Sequence, residues 1–332
     1  MHDEHARTAR VAGIGTALPP RVLTNADLER MVDTSDEWIM ARTGVRERHV
    51  VSDGESVATL AVTAGQKALE DAGVAPDEVE LVIVATATPE QPIPATAAII
   101  QPQLGVSRAV CFDVSAACSG FLYALNVARQ FFVNGEVSTA LVIGAETLTR
   151  YTDSPDRATC ILFGDGAGAV VLKAAAAGEG ILRCAWHTDG TYSDLIHMPG
   201  GGSKHPPHLQ ETVDARLSFI KMKGNETFKV AVKALADVSL EVLNAAGLTL
   251  ADVDLFVAHQ ANRRIIDAVG DRLGLPAEKV YVNVEHVGNT SSASIPLAIR
   301  DALDEGRLGR GDLLLTAAFG GGLTWAASLI RW

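Results

Sequence analysis

Four short fragments of the sequence carry residue types suited to nucleophilic catalysis through a covalent intermediate. Cys118 lies in "FDVSAACSGFLYAL", His259 in "VAHQAN" and Asn289 in "HVGNTSSAS", while "FGGGLTW" at residues 319–325 adds three glycines. Backbone N–H groups of glycines can approach a ligand closely because no side chain stands in the way. Alone, each fragment fits a simpler interpretation, such as a buried thiol, a core histidine, a turn asparagine or a chain reversal. Together they supply a nucleophile, two hydrogen-bond donors and an oxyanion hole.

The pattern around Cys118 predicts a strand followed by a helix. Apolar residues recur at three- and four-residue steps from Leu122 to Phe132, so a helix should begin near Ala117 and hold Cys118 in its first turn. Unpaired N–H groups at that end of a helix carry partial positive charge. We therefore expect the thiolate form of Cys118 to be favoured over the thiol.

The sequence contains two related helix-turn-strand segments about half a chain apart. Gly73 aligns with Gly247 at a spacing of 174 positions. In a second pair of similar segments, Gly135 aligns with Gly306 at a spacing of 171. Both glycines of the first pair follow amphipathic stretches, at residues 57–72 and 228–246. This repetition predicts a duplicated α/β protein, packed as a layered αβαβα body, with a join near residues 173–180. Cys118 and His259 both follow predicted strands, where ligands of such sheets bind.

Composition narrows the function classes. The 332 residues are 48% hydrophobic and 20% charged, as expected of a well-packed protein. A net charge of −12 argues against a nucleic-acid partner, since a phosphate backbone requires a clustered positive surface. No apolar run reaches the roughly 20 residues that span a bilayer, and we identify no secretory signal. The four cysteines show no CxxC spacing, which favours a reduced cytoplasmic protein.

Three glycine-rich stretches resemble ligand-binding motifs but favour structural roles. Residues 11–20, "VAGIGTALPP", lack the third glycine of a dinucleotide fingerprint, and two prolines block the helix that should follow. "FGDGAGAVVL", from residue 163, suits a tight turn or close sheet packing. The histidines of "MPGGGSKHPPH", residues 198–208, have no carboxylate placed to complete a metal site, so we predict no metal.

The chain resembles the β-ketoacyl-acyl-carrier-protein synthase III family of thiolase-like condensing enzymes. The resemblance extends from residue 11 to the C-terminus and is carried jointly by "DTSDEWI", "FDVSAACSGF", "FGDGAGA", "AHQAN" and "GNTSSAS". It implies a thiolase-like five-layer αβαβα fold of two duplicated halves. Residues 1–175 would carry the nucleophilic cysteine, and residues 176–332 the histidine and asparagine. Elongating ketosynthases use Cys-His-His instead.

The resemblance implies an acyltransferase that works by a ping-pong mechanism without a cofactor. Cys118 would attack an acyl-coenzyme A primer, with the N–H groups of Cys118 and Gly321 holding the oxyanion. Coenzyme A would leave. His259 and Asn289 would then stabilise the enolate that malonyl-acyl-carrier protein forms on losing carbon dioxide, and this enolate would attack the acyl group. The product would be 3-oxoacyl-acyl-carrier protein, the first intermediate of fatty acid biosynthesis.

The resemblance also implies binding residues and an assembly. Coenzyme A would be held at the adenine by Trp38 and Arg157, at the nucleotide end by Thr34 and Arg42, and along the pantetheine by Gly224, Phe228, Ala261 and Asn262. The acidic carrier protein would dock near Lys229 and Arg264. A loop from residue 89 would cross a homodimer, with Ile93 closing the partner's primer pocket. Enzymes restricted to acetyl primers commonly carry phenylalanine there, so branched or longer primers are expected to be accepted.

Three other functions share some of these features. A polyketide-priming synthase has the same residues and chemistry, and the sequence alone does not separate it from a fatty acid enzyme. A cysteine hydrolase would need a base beside the thiol and would not decarboxylate a malonyl thioester. A non-catalytic partner subunit would be expected to lose the nucleophile, whereas this chain keeps Cys118.

Overall fold

The computed structural model describes residues 7–332, and the predicted first half therefore begins outside the described part of the chain. The strands are β1 Arg7–Ala17, β2 Val22–Thr24, β3 Glu47–His49, β4 Leu81–Ala85, β5 Val110–Val114, β6 Thr139–Thr147, β7 Asp165–Ala176, β8 Gly180–Thr188, β9 Ile196–His197, β10 Lys221–Met222, β11 Leu255–Ala258, β12 Leu313–Gly320 and β13 Thr324–Arg331. The helices are α1 Asn25–Glu29, α2 Asp36–Thr43, α3 Val57–Ala72, α4 Thr96–Ile100, α5 Gly120–Val133, α6 Arg157–Cys160, α7 Gln210–Asp214, α8 Gly224–Ala246, α9 Arg263–Leu273, α10 Val284–Val287 and α11 Ser294–Asp304.

Two mixed sheets form the frame of the molecule. The first has the strand order β1-β7-β6-β4-β5 and the second the order β11-β12-β13-β8. In the first sheet β4 pairs in parallel with β5 and β6, and in the second β11 pairs in parallel with β12. The other pairings within the two sheets are antiparallel.

Helices cover both faces of each sheet and create five layers. Helix α3 packs on the outer face of the first sheet, α5 and α11 lie between the sheets, and α8 with α9 covers the second sheet. Each interface is apolar, and the largest core cluster joins both sheets through α5 and α11. The predicted αβαβα fold is therefore confirmed. No helix within residues 7–332 is long and apolar enough to cross a bilayer.

The predicted duplication is visible in the element boundaries. Strands β4 and β11 begin 174 positions apart, and so do helices α5 and α11. Gly73 and Gly247 end α3 and α8 in the left-handed conformation, with φ of 61° and 68°. Helix α3 matches its predicted bounds, whereas α8 begins four residues before the predicted start, at Gly224. The proposed boundary between residues 175 and 176 lies at the end of β7 and stays a prediction.

Two of the three glycine-rich stretches serve helix-sheet packing. A Cβ on Gly13 would lie 2.4 Å from the backbone nitrogen of Ala72 in α3, so the stretch that resembles a dinucleotide fingerprint is covered by a helix. A Cβ on Gly168 would lie 2.7 Å from side-chain carbons of Pro296 in α11. Both glycines let a helix approach its sheet closely, as predicted for the second stretch.

Candidate active site

Cys118 lies in a strained turn between β5 and α5. The sequence predicted a helix from about Ala117, but Ala117–Ser119 forms a 3₁₀ turn and α5 begins at Gly120. Ala117 has a φ of 47°, which is unusual for a residue with a side chain. Two hydrogen bonds to β13 hold the turn: the Ser119 hydroxyl donates to the Thr324 carbonyl at 3.0 Å, and the Thr324 hydroxyl donates to the Ala116 carbonyl at 2.9 Å. These contacts stabilise a conformation that an isolated peptide would avoid.

The predicted chemical residues line a single cavity of about 1050 Å³. Cys118 contributes from the first sheet's side, while His259, Asn289 and Gly321 contribute from segments of the second half. The cavity is bounded mainly by apolar side chains, among them Phe163. Such a site excludes water around a few polar groups, as ligand sites commonly do.

His259 follows β11 directly and is held in one orientation. Its backbone N–H donates to the Ala317 carbonyl at 2.7 Å, and its Nδ1 lies 2.7 Å from Oγ of Ser294. Because Ser294 Oγ accepts the N–H of Gln260 at 3.4 Å, its own proton is free to bond Nδ1. When the Ser294 hydroxyl donates to Nδ1, the imidazole proton is on Nε2. Burial lowers the pKa of His259 to about 3, so the ring is a neutral donor at physiological pH.

Asn289 is also oriented by hydrogen bonds. Its Oδ1 accepts the N–H of Ser291 at 2.9 Å, which leaves the side-chain NH₂ as the free end of the amide. Its backbone N–H donates to the Leu162 carbonyl and its carbonyl accepts the N–H of Gly164. Asn289 is therefore a second neutral donor.

The expectation that the thiolate of Cys118 is favoured is wrong for the unliganded protein. Burial raises the pKa of the Cys118 thiol to about 12, and the Glu146 charge raises it further, while a hydrogen bond with the Ser291 side chain lowers it. The loss of hydration outweighs the partial charge of the α5 terminus. Cys118 is thus a thiol at neutral pH, and it would have to lose its proton to act as a nucleophile.

Two backbone N–H groups near Cys118 are available to an oxyanion. Among the described residues, neither the N–H of Cys118 nor that of Gly321 donates a backbone hydrogen bond. A Cβ on Gly320 would lie 2.6 Å from the Cys118 nitrogen, and one on Gly321 would lie 2.7 Å from the Ile196 carbonyl oxygen. Only glycines let this segment approach the nucleophile so closely.

Seven of the eight positions expected to bind coenzyme A line the same cavity. They are Trp38, Arg42, Arg157, Gly224, Phe228, Ala261 and Asn262. Thr34 is the exception: it does not line the cavity, and its hydroxyl is buried without a hydrogen-bond partner in the described structure.

The Trp38 ring is covered by two guanidinium groups. The Cζ atoms of Arg42 and Arg157 lie 4.1 and 4.8 Å from its centroid, as in cation–π contacts. The Arg157 guanidinium also donates to the Asp33 carbonyl at 2.9 Å. A purine entering between Trp38 and Arg157 would have to displace this guanidinium.

The remaining predicted residues divide between the cavity and the surface. Lys229 and Arg264 are exposed residues of the cavity lining, and the Arg264 guanidinium lies 5.4 Å from the Phe228 centroid. Ile93 is 85% exposed and does not line the cavity of its own chain.

Three polar residues near the site were missed in the sequence. Ser291 and Ser294 orient Asn289 and His259, and Glu146 is a fully buried carboxyl near the end of β6. The signal was present in "TSSAS", a polar run before an apolar helix, and in a glutamate directly after the apolar run "ALVIGA". Polar residues in such buried settings need partners.

Comparison with known proteins assigns the family. A family model described as 3-Oxoacyl-[acyl-carrier-protein (ACP)] synthase III matches residues 112–190, and its C-terminal counterpart matches residues 243–332. The chain is 52% identical over 327 residues to a β-ketoacyl-[acyl-carrier-protein] synthase III of Rhizorhabdus wittichii, covering 98% of this chain and 100% of that protein. A relative of the same name from Caldanaerobacter subterraneus is 48% identical, with 98% of each chain covered.

Solved structures show the same relationship. The 3-oxoacyl-[acyl-carrier-protein] synthase III of Aquifex aeolicus has a TM-score of 0.91 and 45% identity, covering 98% of this chain and 100% of that one. The priming β-ketosynthase of the R1128 polyketide pathway has a TM-score of 0.90 and 36% identity, covering 99% and 98%. Since identities near 50% extend over nearly the whole chain, the protein belongs to the β-ketoacyl-[acyl-carrier-protein] synthase III family.

Proposed function

We propose that the chain is an acyltransferase that condenses an acyl-coenzyme A primer with malonyl-acyl-carrier protein and thereby initiates fatty acid biosynthesis. The products are 3-oxoacyl-acyl-carrier protein, carbon dioxide and coenzyme A. The observation that carries the proposal is that Cys118, His259 and Asn289 line one cavity together with Gly321. Membership in the synthase III family supports the same reaction.

The first half-reaction acylates Cys118. Its sulfur attacks the thioester carbonyl while the N–H groups of Cys118 and Gly321 hold the developing oxyanion. Both amides lack a backbone acceptor in the described structure, so they can bind this charge without first breaking a bond. One such donor is worth about 2.7–4 kcal/mol in related sites.

The second half-reaction decarboxylates the malonyl thioester. His259 through Nε2 and Asn289 through its amide donate to the thioester oxygen, so loss of carbon dioxide leaves a stabilised enolate whose carbon attacks the acyl group on Cys118. Neutral donors suit this step because a charged imidazolium is disfavoured by burial. Water is excluded from a largely apolar cavity, which strengthens each hydrogen bond.

The cavity mouth suits an acidic carrier protein. Lys221, Lys223, Lys233 and Arg263 form ion pairs with acidic neighbours of this chain. Lys229 and Arg264 belong to the cavity lining and have no acidic partner within residues 7–332. We propose that these two side chains pair with the carrier and steer its approach.

Homodimer formation is supported by two exposed apolar features. Strand β5 is an edge of the first sheet, and Val110 on it is 61% exposed. Two copies of this edge can pair about a twofold axis and cover each other's unpaired backbone groups. Ile93 is available to close a primer pocket across that axis. A cytoplasmic location is supported by four cysteines without disulfides.

A polyketide-priming role is the second candidate. The likeness to the R1128 priming ketosynthase, at 36% identity, supports it. Both roles use the same half-reactions and differ in the carrier protein, so activity with each type of carrier protein separates them.

Intact-mass measurement after incubation with acyl-coenzyme A tests the proposed function. Wild-type protein should gain one acyl group and lose it when malonyl-acyl-carrier protein is added, with release of carbon dioxide. Cys118→Ser should gain none. An acyl adduct that disappears in water alone, without decarboxylation of the malonyl thioester, would identify a hydrolase instead.

A further inference from the structure

Glu146 is a fully buried carboxyl group near the nucleophile, and the reaction described above leaves it without a role. It is the penultimate residue of β6, is 0% exposed, and forms no ion pair with a basic residue within residues 7–332. Its neighbours are hydroxyl and amide donors from both halves of the chain. A carboxyl group in such a place needs an explanation because burial disfavours its charge.

Its two oxygens have different surroundings. Oε2 accepts from the Thr88 hydroxyl at 2.8 Å and from the Ala87 N–H at 3.1 Å. Thr88 Oγ1 itself accepts the N–H of Thr147 at 2.9 Å, so its hydroxyl proton is committed to Glu146. Oε2 is therefore an acceptor in either protonation state.

Oε1 has room for a proton. It lies 2.8 Å from Oγ of Ser292, which also lies 2.9 Å from the carbonyl oxygen of Ala85. One hydroxyl proton cannot serve two acceptors, so an ionised Glu146 leaves one of these contacts without a hydrogen. A proton on Oε1 satisfies both, because Oε1 then donates to Ser292 while Ser292 donates to Ala85.

Ser291 connects Oε1 to the nucleophile. Its hydroxyl donates to Oε1 at 3.1 Å, it lines the same cavity as Cys118, and its side chain lowers the pKa of the Cys118 thiol. The turn Ser291–Ala293 packs directly on the turn Ala117–Ser119, and both turns begin with a residue in the left-handed region, Ser291 at a φ of 49°. The two turns are 174 positions apart, so Ser292 occupies in the second half the position that Cys118 occupies in the first.

We propose that Glu146 stores the Cys118 proton, received through Ser291, between the two half-reactions. This role rests on the function proposed above. Glu146 does not contact the reacting atoms and acts as a positioning residue for the proton.

The proton balance closes over one cycle. In acylation the S–H bond of Cys118 breaks as the S–C bond forms, the thiol proton passes to Ser291 Oγ, and the Ser291 proton passes to Oε1. Coenzyme A leaves as a thiolate and takes a proton from water. In condensation the new C–C bond forms, the S–C electrons return to sulfur, and the stored proton returns through Ser291. The only net proton consumed in a turnover is therefore the one that coenzyme A takes up, which balances the release of carbon dioxide from the malonyl carboxylate.

The direction of the pH dependence follows from burial. Loss of hydration raises the pKa of Glu146 above its usual range. The other titratable groups that sense its charge are the Cys118 thiol and the Tyr151 phenol. Below the pKa of Glu146 the carboxyl already carries a proton and cannot accept another, so the Cys118 thiol reacts slowly. Above that pKa the reaction rate of Cys118 should reach a plateau, at a pH well below the pKa of the thiol.

Glu146→Gln is the decisive variant because its amide imitates the protonated carboxyl. The amide oxygen can accept from Thr88 and Ala87, while the NH₂ donates towards Ser292 and Ser291, so the fold is preserved and only the proton acceptor is removed. Asp165→Asn makes the same change at a second buried carboxyl, which is bonded to Val51 and Thr149 and does not line the cavity. Ser291→Ala retains the Glu146 carboxyl and removes the hydroxyl proposed to carry the proton between Cys118 and Glu146.

The experiment follows Cys118 alkylation by iodoacetamide, and separately its acylation by acetyl-coenzyme A, as a function of pH by intact mass. In wild type and Asp165→Asn both rates should fall at acid pH and reach a plateau below the pKa of the thiol. In Glu146→Gln and Ser291→Ala the plateau should vanish, with rates lower by on the order of 10²-fold at neutral pH and rising steadily towards alkaline pH. Alkylation profiles identical to wild type in both variants would overturn the proposal. A wild-type protein that is alkylated but never acylated would contradict the proposed function, and the alkylation profiles would still decide the role of Glu146.

Discussion

Oγ of Ser294 lies 2.7 Å from Nδ1 of His259, and this contact joins the first turn of α11 to the end of β11. It orients the imidazole from a helix that is also packed against the first sheet. The donor proposed for the malonyl thioester is thus oriented by an element that contacts both halves of the chain.

Replacing Ser294 with alanine should slow decarboxylation and spare acylation. Without the hydroxyl, Nδ1–H becomes an equally accessible tautomer, and Nε2 then lacks a proton to donate. We expect carbon dioxide release to fall by about 10-fold, less than the 10²–10³-fold expected for loss of a whole donor. Carbon dioxide release and acyl-adduct formation, measured side by side, test this. Ser239→Ala removes a buried hydroxyl in α8 that donates to the Leu235 carbonyl and does not line the cavity, and it should change neither rate. Equal loss in both half-reactions of Ser294→Ala would contradict the tautomer argument.

His259 should make folding stability depend on pH. Its pKa is about 3 in the folded protein against 6.5 when unfolded, so between these values the unfolded chain binds a proton that the native chain does not. The free energy of unfolding should therefore fall with decreasing pH, by up to about 1.4 kcal/mol per pH unit from this residue alone. Urea titrations at two pH values within this interval should show a smaller difference for His259→Gln than for wild type. An unchanged difference would mean that the imidazole is hydrated in the folded state.

The Arg157–Trp38 contact should increase the affinity for the nucleotide end of coenzyme A. Arg157→Ala removes the guanidinium that lies 4.8 Å from the ring, and with it the second face of the proposed adenine site. A cation–π contact contributes about 0.5–2 kcal/mol, so KM for acetyl-coenzyme A should rise several-fold, up to about 30-fold, while kcat changes little. A truncated acyl pantetheine, which lacks the nucleotide, should be used equally well by wild type and variant. A matching rise in KM for both substrates would exclude this role for Arg157.

The sequence predicted the layers and the residues that line the cavity because both follow from local patterns. Strand and helix periodicity, with Gly73 and Gly247 as helix ends, predicted that the two halves are duplicated. The positions of Cys118 and His259 directly after strands predicted where the site lies. The protonation state of Cys118 could not be obtained in this way, since it depends on how much protein surrounds the sulfur. Long-range contacts have no local pattern either, which is why the bonds from Ser291 to Glu146 were missed. The stacking of Arg157 on Trp38 depends likewise on two distant segments.

Charge reversal at Arg264 should separate the two substrates. This guanidinium lines the cavity, is exposed and has no acidic partner within the described residues, so Arg264→Glu leaves no carboxylate unpaired in the free protein. KM for malonyl-acyl-carrier protein should rise by about 10-fold or more, with a weaker dependence on salt, while acylation by acyl-coenzyme A is retained. Arg272→Glu is the matched control, because Arg272 is exposed, has no acidic partner among residues 7–332 and does not line the cavity. Equal effects of the two substitutions would indicate that only net charge matters.

Ile93 should set the upper size of the primer. The side chain is 85% exposed on its own chain, so it can limit a primer pocket only by crossing to a partner subunit. Isoleucine is smaller than phenylalanine, and wild type should therefore turn over isobutyryl- and hexanoyl-coenzyme A as well as the acetyl ester. Ile93→Phe should reduce use of the larger primers relative to acetyl by about 1–3 kcal/mol in kcat/KM, because an apolar pocket discriminates one methylene by that amount. Exclusive use of acetyl by the wild type would contradict the larger pocket. An unaltered primer preference in a dimeric Ile93→Phe protein would show that another segment closes the pocket.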